Sequence, residues 1–157
     1  MVGILSRQDV IINVAPVYLC LITQSLDDNR ENIFEGMAES NLIPIDQGKA
    51  EINHCIDEMF LVSRRELYNF KHPQTYNTNA YRRRDITFNL NPVFFAILIG
   101  VIYLNKDDFI ESIQIATKKG NDKEELTNCL DELRNVSVES SLTMVEQIDI
   151  EKYKGFS

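Results

Sequence analysis

The stretch best suited to chemistry is basic and aromatic, RRELYNFKHPQTYNTNAYRRR, from Arg64 to Arg84. Guanidinium groups hold phosphates and aromatic rings stack on bases, so one interpretation is a nucleic-acid site. The other is that the arginines pair with acidic helices of the same chain while the tyrosines pack over the edge of the core. The formal net charge of −8 opposes general nucleic-acid affinity. We therefore expect internal pairing or a protein contact.

The two histidines, His54 and His72, are the candidate general bases and metal ligands. Cys55, Asp57 and Glu58 follow His54, but on a helix these four residues do not share one face, and only His54 and Glu58 are one turn apart. No H-E-x-x-H or paired Cys/His spacing supports a metal site, so we expect no metal and no cofactor. His72 has no adjacent Ser or Cys nucleophile, and the prediction is a protein that is not an enzyme.

Charge divides the chain into three zones. Residues 1–63 carry three basic and ten acidic side chains, residues 64–84 carry six basic and one acidic, and residues 105–157 carry seven basic and twelve acidic. The prediction is two acidic arms around a basic centre. Acidic and apolar residues displayed on rigid helices suit a basic partner protein.

A thirteen-residue apolar run, PVFFAILIGVIYL from Pro92 to Leu104, is the element expected to hold the fold together. A membrane-spanning helix needs about 20 such residues, so the run predicts a buried core helix and no membrane span. Asn91 and Pro92 are typical of an N-cap and a first helical position. Gly100 would let a neighbouring backbone approach. The predicted fold is a mainly α-helical bundle of six or seven helices around this one.

Helical spacing of apolar residues places the other elements. Further helices are predicted at about 29–41, 47–69, 107–119 and 122–135, the last two as a hairpin with a very short turn. The N-terminal segment is also expected to be helical, with Pro16 kinking or splitting it. Residues 85–90 alternate and allow a minor strand, either an extended lead-in or half of a small hairpin. Residues 138–150 fit both a helix and a strand.

Length and composition predict a single globular domain over residues 1–157, without a visible internal repeat. Residues 70–90 are expected to form a long basic and aromatic loop, and residues 152–157 a frayed tail. The stretch 10–22 follows Arg7 and Asp9, which leave no net positive charge, and no cleavage pattern follows it, which favours a core element over an export signal. The cysteines are odd in number and far apart, which predicts small buried thiols and a cytoplasmic location; they are Cys20, Cys55 and Cys129.

A small, acidic, helical domain of this kind has the profile of a protein that works by binding another protein. The profile resembles that of bacterial immunity proteins and antitoxins, so our leading hypothesis is a non-catalytic inhibitor that neutralises a toxin through steered association. The predicted partner-binding residues are Arg82, Arg83, Tyr76, Tyr81, Asp107, Asp108, Glu111, Asp131 and Glu132. Three alternatives stay open: a nucleic-acid-binding adaptor through Arg64–Arg84, an enzyme whose site is assembled from distant residues, and a viral helical-bundle regulator with an apolar groove for a partner helix.

Overall fold

The computed structural model describes residues 5–39, 46–68, 80–117 and 123–154, and within them the chain forms six helices and two strands. The helices are α1 (Pro16–Asp28), α2 (Arg30–Glu39), α3 (Asp46–Tyr68), α4 (Pro92–Leu104), α5 (Lys106–Thr117) and α6 (Lys123–Lys154), and the strands are β1 (Gln8–Val14) and β2 (Arg84–Leu90). The predicted mainly α-helical fold with a minor strand is confirmed. None of the helices in these ranges is long and apolar enough to cross a membrane.

The prediction of a helical N-terminus is wrong for β1. Val10, Ile12 and Val14 are buried and the residues between them are exposed, which is the two-residue period of a strand. Ile11 hides this period in the sequence because it is apolar but 58% exposed. Pro16 kinks nothing: it begins α1, at the position where a missing N–H costs least.

The second strand is confirmed, but it belongs neither to a lead-in nor to a hairpin. β2 pairs with β1 in an antiparallel two-stranded sheet, far away along the chain. Because a two-stranded sheet is marginal alone, it needs a covered face. Its buried face carries Ile86, Phe88 and Leu90 from β2 beside the apolar residues of β1, and all belong to the shared core.

The expectation of an unrepeated chain is also wrong, because strand, helix and helix recur in the same order. β1–α1–α2 aligns with β2–α4–α5 without a gap at an offset of 76 residues (92 minus 16), so that Pro16 falls on Pro92 and DVIINVAPVYL on DITFNLNPVFF. The third helices align at an offset of 74 (129 minus 55), where CIDEMFLVS, residues 55–63, falls on CLDELRNVS, residues 129–137. The chain therefore consists of two βααα repeats.

The strand register shows that a pseudo-twofold axis relates the repeats. Ile11 pairs with Thr87, which is its own equivalent at the 76-residue offset (87 minus 11), so the axis passes through this pair. One equivalent side-chain hydrogen bond forms on each side of the axis. The Asn13 side-chain amide donates to Asp85 and the Asn89 amide donates to Asp9, both over 2.9 Å.

The two repeats are interlocked around one core. α3 packs against α1 of its own repeat and against β2 of the other, and α6 packs likewise against α4 and β1. At the β2 edge, the Asn89 N–H donates to Glu58 Oε2 over 2.7 Å, and the Asn89 carbonyl lies 3.0 Å from His54 Nε2. These α3 side chains bind backbone groups that an exposed edge strand would offer to other chains.

The apolar run forms α4 and lies in the shared core, as predicted. Phe95, Leu98 and Ile99 are fully buried, whereas Leu104 at the end of the helix is 74% exposed. The Asn91 side chain accepts a hydrogen bond from the Phe94 N–H over 3.0 Å, which confirms the predicted N-cap.

Gly100 admits a side chain and not, as the sequence suggests, a neighbouring backbone. A Cβ at this position would lie 2.9 Å from the Nη1 atom of Arg134, on α6. The guanidinium also lies over the Tyr103 ring, 5.7 Å from its centroid. The glycine therefore makes room for a cation–π contact between α4 and α6.

Helix α6 is much longer than the predicted helix at 122–135. Residues 138–150 continue it, so the strand alternative is wrong there. The extension leaves Leu142 and Val145 exposed while Met144 is buried, which blurs the helical pattern in the sequence. The prediction of a loop over residues 70–90 is wrong for residues 84–90, which form β2. Residues 69–79, 118–122 and 155–157 lie outside the described ranges.

Candidate partner-binding surfaces

The predicted acidic residues of α5 lie at its exposed N-terminal end. Asp107 and Asp108 occupy the first turn, where carboxylates interact favourably with the helix dipole. Glu111 follows one turn later and is also exposed. None of the three forms an ion pair with a residue in the described ranges, so their charge is available to a partner.

The repeat adds acidic residues on α2 that the sequence prediction missed. At the 76-residue offset Glu31 is equivalent to Asp107, and Glu35 to Glu111. Both glutamates are exposed and, among the described residues, neither has an ion-pair partner. We call these five carboxylates the acidic walls; they are Glu31 and Glu35 on α2, and Asp107, Asp108 and Glu111 on α5. Aligning the repeats would have revealed the α2 members.

An open groove of about 300 Å³ lies between α2 and the α4–α5 corner. Its apolar surface includes the half-buried Val101 and Phe109 and the buried Ile33 and Ile102. Asp108, one of the five carboxylates of the acidic walls, lines the groove as well. A groove is expected from the sequence only under the regulator alternative, and no residue pattern places it.

The cations at the first positions of α2 and α5, Arg30 and Lys106, already have internal partners. Arg30 donates to Asp27 over 2.8 Å and to Asn53 over 3.1 Å, and it also forms an ion pair with Asp57. Lys106 lies over the Tyr103 ring, 4.8 Å from its centroid. Lys106 also interacts electrostatically with Asp107 without forming an ion pair with it, so the charge of that one carboxylate is partly compensated.

The two predicted acids on α6 sit in different surroundings from the walls. Asp131 is half-buried and accepts a hydrogen bond from the Tyr103 hydroxyl over 2.7 Å. Its equivalent in the first repeat is Asp57, which pairs with Arg30. Glu132 is half-buried beside it. Asp131 thus has an internal role, and its availability to a partner is reduced.

The predicted basic and aromatic anchors lie near the start of α1. Tyr81 is 44% exposed and packs edge-to-face on Tyr18, with ring centroids 5.8 Å apart. Arg82 and Arg83 are exposed, and Arg83 lines a cavity of about 10 Å³ next to Tyr18. A cavity of this size has room for one water molecule. Tyr76 lies outside the described residues.

The predicted anchors do not converge on one surface. Arg83 lies beside Ala15, at the N-terminal end of α1, whereas Asp108 shares the groove with Asn29, which follows the C-terminal end of that helix. α1 has 13 residues, so these ends are about 20 Å apart. A partner contacting both sets would have to cover the length of α1.

Two arginines of the basic segment are paired internally. Arg64 donates to Gln24 and lies over the Phe60 ring, 4.0 Å from its centroid. Arg84 forms an ion pair with Glu66. Only the Arg84–Glu66 pair is the pairing with an acidic residue that the internal-pairing interpretation predicts, because the partners of Arg64 are a neutral amide and a ring. Together these contacts engage two of the six cations of the basic segment.

The metal-ligating residue types serve structural roles. His54 binds the edge of β2, and Cys55 lies in the core, where burial raises the pKa of its thiol to about 12. Burial also raises the pKa of the Cys129 thiol. Cys20 is half-buried and donates to the Ser63 carbonyl over 3.2 Å. Within the described ranges, no group of three such side chains could hold a metal ion.

Comparison with protein-family models, with curated proteins and with solved structures finds no match to this chain. Inference about function therefore depends on the geometry of the acidic walls and the groove.

Proposed function

We propose that this chain is a non-catalytic inhibitory protein of the immunity-protein or antitoxin kind, which neutralises a basic partner protein. The observation that supports the proposal is the pair of acidic walls. Five exposed carboxylates stand on two helices held by the core, and none forms an ion pair with a described residue. Such a field attracts a basic surface over a long range, and it raises the association rate more than it raises the final affinity.

Charge distribution favours a protein partner over a nucleic acid. The whole chain carries −8, and Arg64 and Arg84 of the basic segment are occupied by Gln24, Phe60 and Glu66. A nucleic acid approaching the remaining arginines would meet repulsion from both acidic zones. A basic protein would be attracted to the same zones.

The experiment is an affinity capture from the native host followed by an inhibition assay. Captured proteins are identified by mass spectrometry, and the absorbance ratio at 260 and 280 nm reports bound nucleic acid. A purified partner is then titrated with the chain while its own activity is measured. The test variant reverses three charges of the walls, and a matched control reverses three exposed charges on α6. The substitutions are Glu31→Lys, Asp107→Lys and Glu111→Lys in the first, and Glu139→Lys, Glu146→Lys and Asp149→Lys in the second.

We expect one stoichiometric partner whose activity falls as the chain is added. Reversal of the walls should abolish both capture and inhibition, and the α6 control should keep both. A partner that is retained equally by the two variants would contradict the role of the walls. Co-purifying nucleic acid without a protein would instead support an adaptor that works through Arg64–Arg84.

A second candidate function, a regulator that binds a helix of its partner, is favoured by the open groove. It differs from the first in the inhibition assay. A regulator would bind the partner at the groove and leave the partner's own catalytic activity intact.

A further inference from the structure

The groove lies on the pseudo-twofold axis that relates the repeats. Eight of its ten lining residues form equivalent pairs at the 76-residue offset (105 minus 29), which are Asn29 with Asn105, Asn32 with Asp108, Ile33 with Phe109, and Gly36 with Ser112. The other two, Val101 and Ile102, come from α4 alone. The two helices that flank the groove, α2 and α5, therefore contribute equivalent positions. The pseudo-symmetry is incomplete, because Asp108 is matched by the neutral Asn32, and Val101 and Ile102 have no counterpart in the lining.

Both walls of the groove are helices, and both are acidic on their outer side. Glu35 is flanked by the groove residues Asn32 and Gly36, and Glu111 by Asp108 and Ser112. An apolar floor flanked by Glu35 on α2 and by Asp108 and Glu111 on α5 is complementary to one kind of surface: an apolar stripe with cations on either side.

We infer that the groove binds a basic amphipathic helix of the partner, whose apolar stripe contacts the floor and whose Lys or Arg residues flank that stripe on both sides. This inference rests on the proposed function and specifies the partner. A helix is the occupant favoured by the shape, because a helix presents apolar residues three and four apart along one stripe and fits a trough between two other helices. Gly36 and Ser112 are small, so that a third helix can come close to the floor on either wall.

The charge pattern separates this occupant from a nucleic acid and from an ordinary amphipathic helix. Phosphates would be repelled by both walls. A helix with cations on one side only would satisfy one wall and leave the other uncompensated. Cations on both sides satisfy Glu35 and Glu111 together.

The test uses the full chain and a designed fluorescent peptide of about 20 residues, long enough to form a helix across the groove. The peptide carries Leu at i, i+3, i+4 and i+7 and Lys on both sides of that stripe. A scrambled peptide of the same composition is the control for charge alone. Fluorescence anisotropy measures the affinity of each peptide at two salt concentrations, and circular dichroism checks that every variant is folded.

Two substitutions block the groove from opposite walls, so that one remains informative if the other does not fold. Gly36→Phe fills it from α2, and Ser112→Phe, at an exposed position, fills it from α5. Each should weaken binding of the designed peptide by about tenfold or more, the scale of one lost apolar anchor. Glu35→Lys and Glu111→Lys should each weaken it by similar factors, and Glu139→Lys on α6 should not.

Equal binding of the designed and scrambled peptides would overturn the inference, as would binding that is unaffected by both Phe variants. Loss of binding on charge reversal of one wall only would overturn the two-sided pattern. Failure here is distinct from failure of the proposed function. If the Phe variants still capture and inhibit the native partner while the wall reversal does not, the inhibitory function stands and the groove is not its site.

Discussion

Two helix-interior glycines give a paired prediction of stability. Replacing Gly36 in α2 or Gly100 in α4 by Ala should raise the free energy of unfolding by about 0.5–1 kcal/mol through the backbone alone, because glycine loses more backbone freedom than alanine on folding. At Gly36 the added methyl group would lie 3.9 Å from Val101 Cγ1, an ordinary contact. Gly36→Ala should therefore be stabilising by about 0.5–1 kcal/mol, or about 1–4 °C in Tm for a chain of this size.

Gly100→Ala should be close to neutral. Its methyl group would lie 2.9 Å from Arg134 Nη1, so the guanidinium must move away from the Tyr103 ring. A half-exposed cation–π contact contributes about 0.5–1 kcal/mol, which offsets the backbone gain. In an Arg134→Ala background nothing has to move, and Gly100→Ala should then recover the full gain.

Chemical denaturation of the four variants and the parent measures these differences as a double-mutant cycle. The expected coupling between positions 100 and 134 is about 0.5–1 kcal/mol. A destabilising Gly36→Ala would contradict this prediction. So would a Gly100→Ala that is equally stabilising with and without Arg134. The second result would mean that the close approach of the guanidinium imposes no constraint.

Three further predictions concern buried thiols and one ion-pair cluster. In a thiol-labelling assay Cys20 should react first, and Cys55 and Cys129 should react only as the chain unfolds, because they are buried. Burial raises the pKa of the Cys55 thiol to about 12. The contribution of this thiol to the free energy of unfolding is therefore full below about pH 8.5 and is lost as the pH rises towards 12. Urea titrations should show that Cys55→Ala reduces the pH dependence of the free energy of unfolding in this range by about 1.4 kcal/mol per pH unit. Arg30→Ala should lower the free energy of unfolding by about 1 kcal/mol, because it leaves the carboxylates of Asp27 and Asp57 without their ion-pair partner. This difference between variant and parent should be smaller in 1 M NaCl, where salt screens the ion pairs.

Local pattern was sufficient for the buried helix α4 and insufficient for the sheet. The apolar run at 92–104 and the capping residue Asn91 are local signals, and both predictions are confirmed. The pairing of β1 with β2 is not local, and no feature within either strand specifies the other. The alternation in β1 is also broken by Ile11, which a helical interpretation absorbs without difficulty.

The long α6 escaped prediction for a different physical reason. Helical patterns are visible in a sequence when one stripe faces the core along the whole helix. Helix α6 continues past residue 142, which is equivalent to the last residue of its counterpart α3 (68 plus 74). Leu142 at that point and Val145 beyond it face solvent. The stripe that identifies the first half of the helix is therefore absent from the second.

The repeat is the feature that would have corrected most of these errors. Aligning Pro16 with Pro92 places Val10, Ile12 and Val14 on the clear alternation of β2, and so predicts the first strand. The match between CIDEMFLVS and CLDELRNVS has a structural cause. Each segment buries its cysteine and its serine, and each serine hydroxyl donates to the carbonyl three residues earlier.

Equivalent acidic residues of the two repeats that lack a structural role of this kind are the candidates for binding a partner. Asp57 and Asp131 both have internal partners, and Glu31 and Asp107 both lie in the first turn of a helix, where the dipole favours a carboxylate. Glu35 and Glu111 lie beyond the first turn, are exposed, and form no ion pair with a described residue. Among the described residues, no ion pair accounts for a negative charge at either position, yet both repeats carry one beside the groove. Glu35→Lys and Glu111→Lys, measured in variants whose folding is unchanged, are therefore the most direct test of whether a basic ligand binds on the axis.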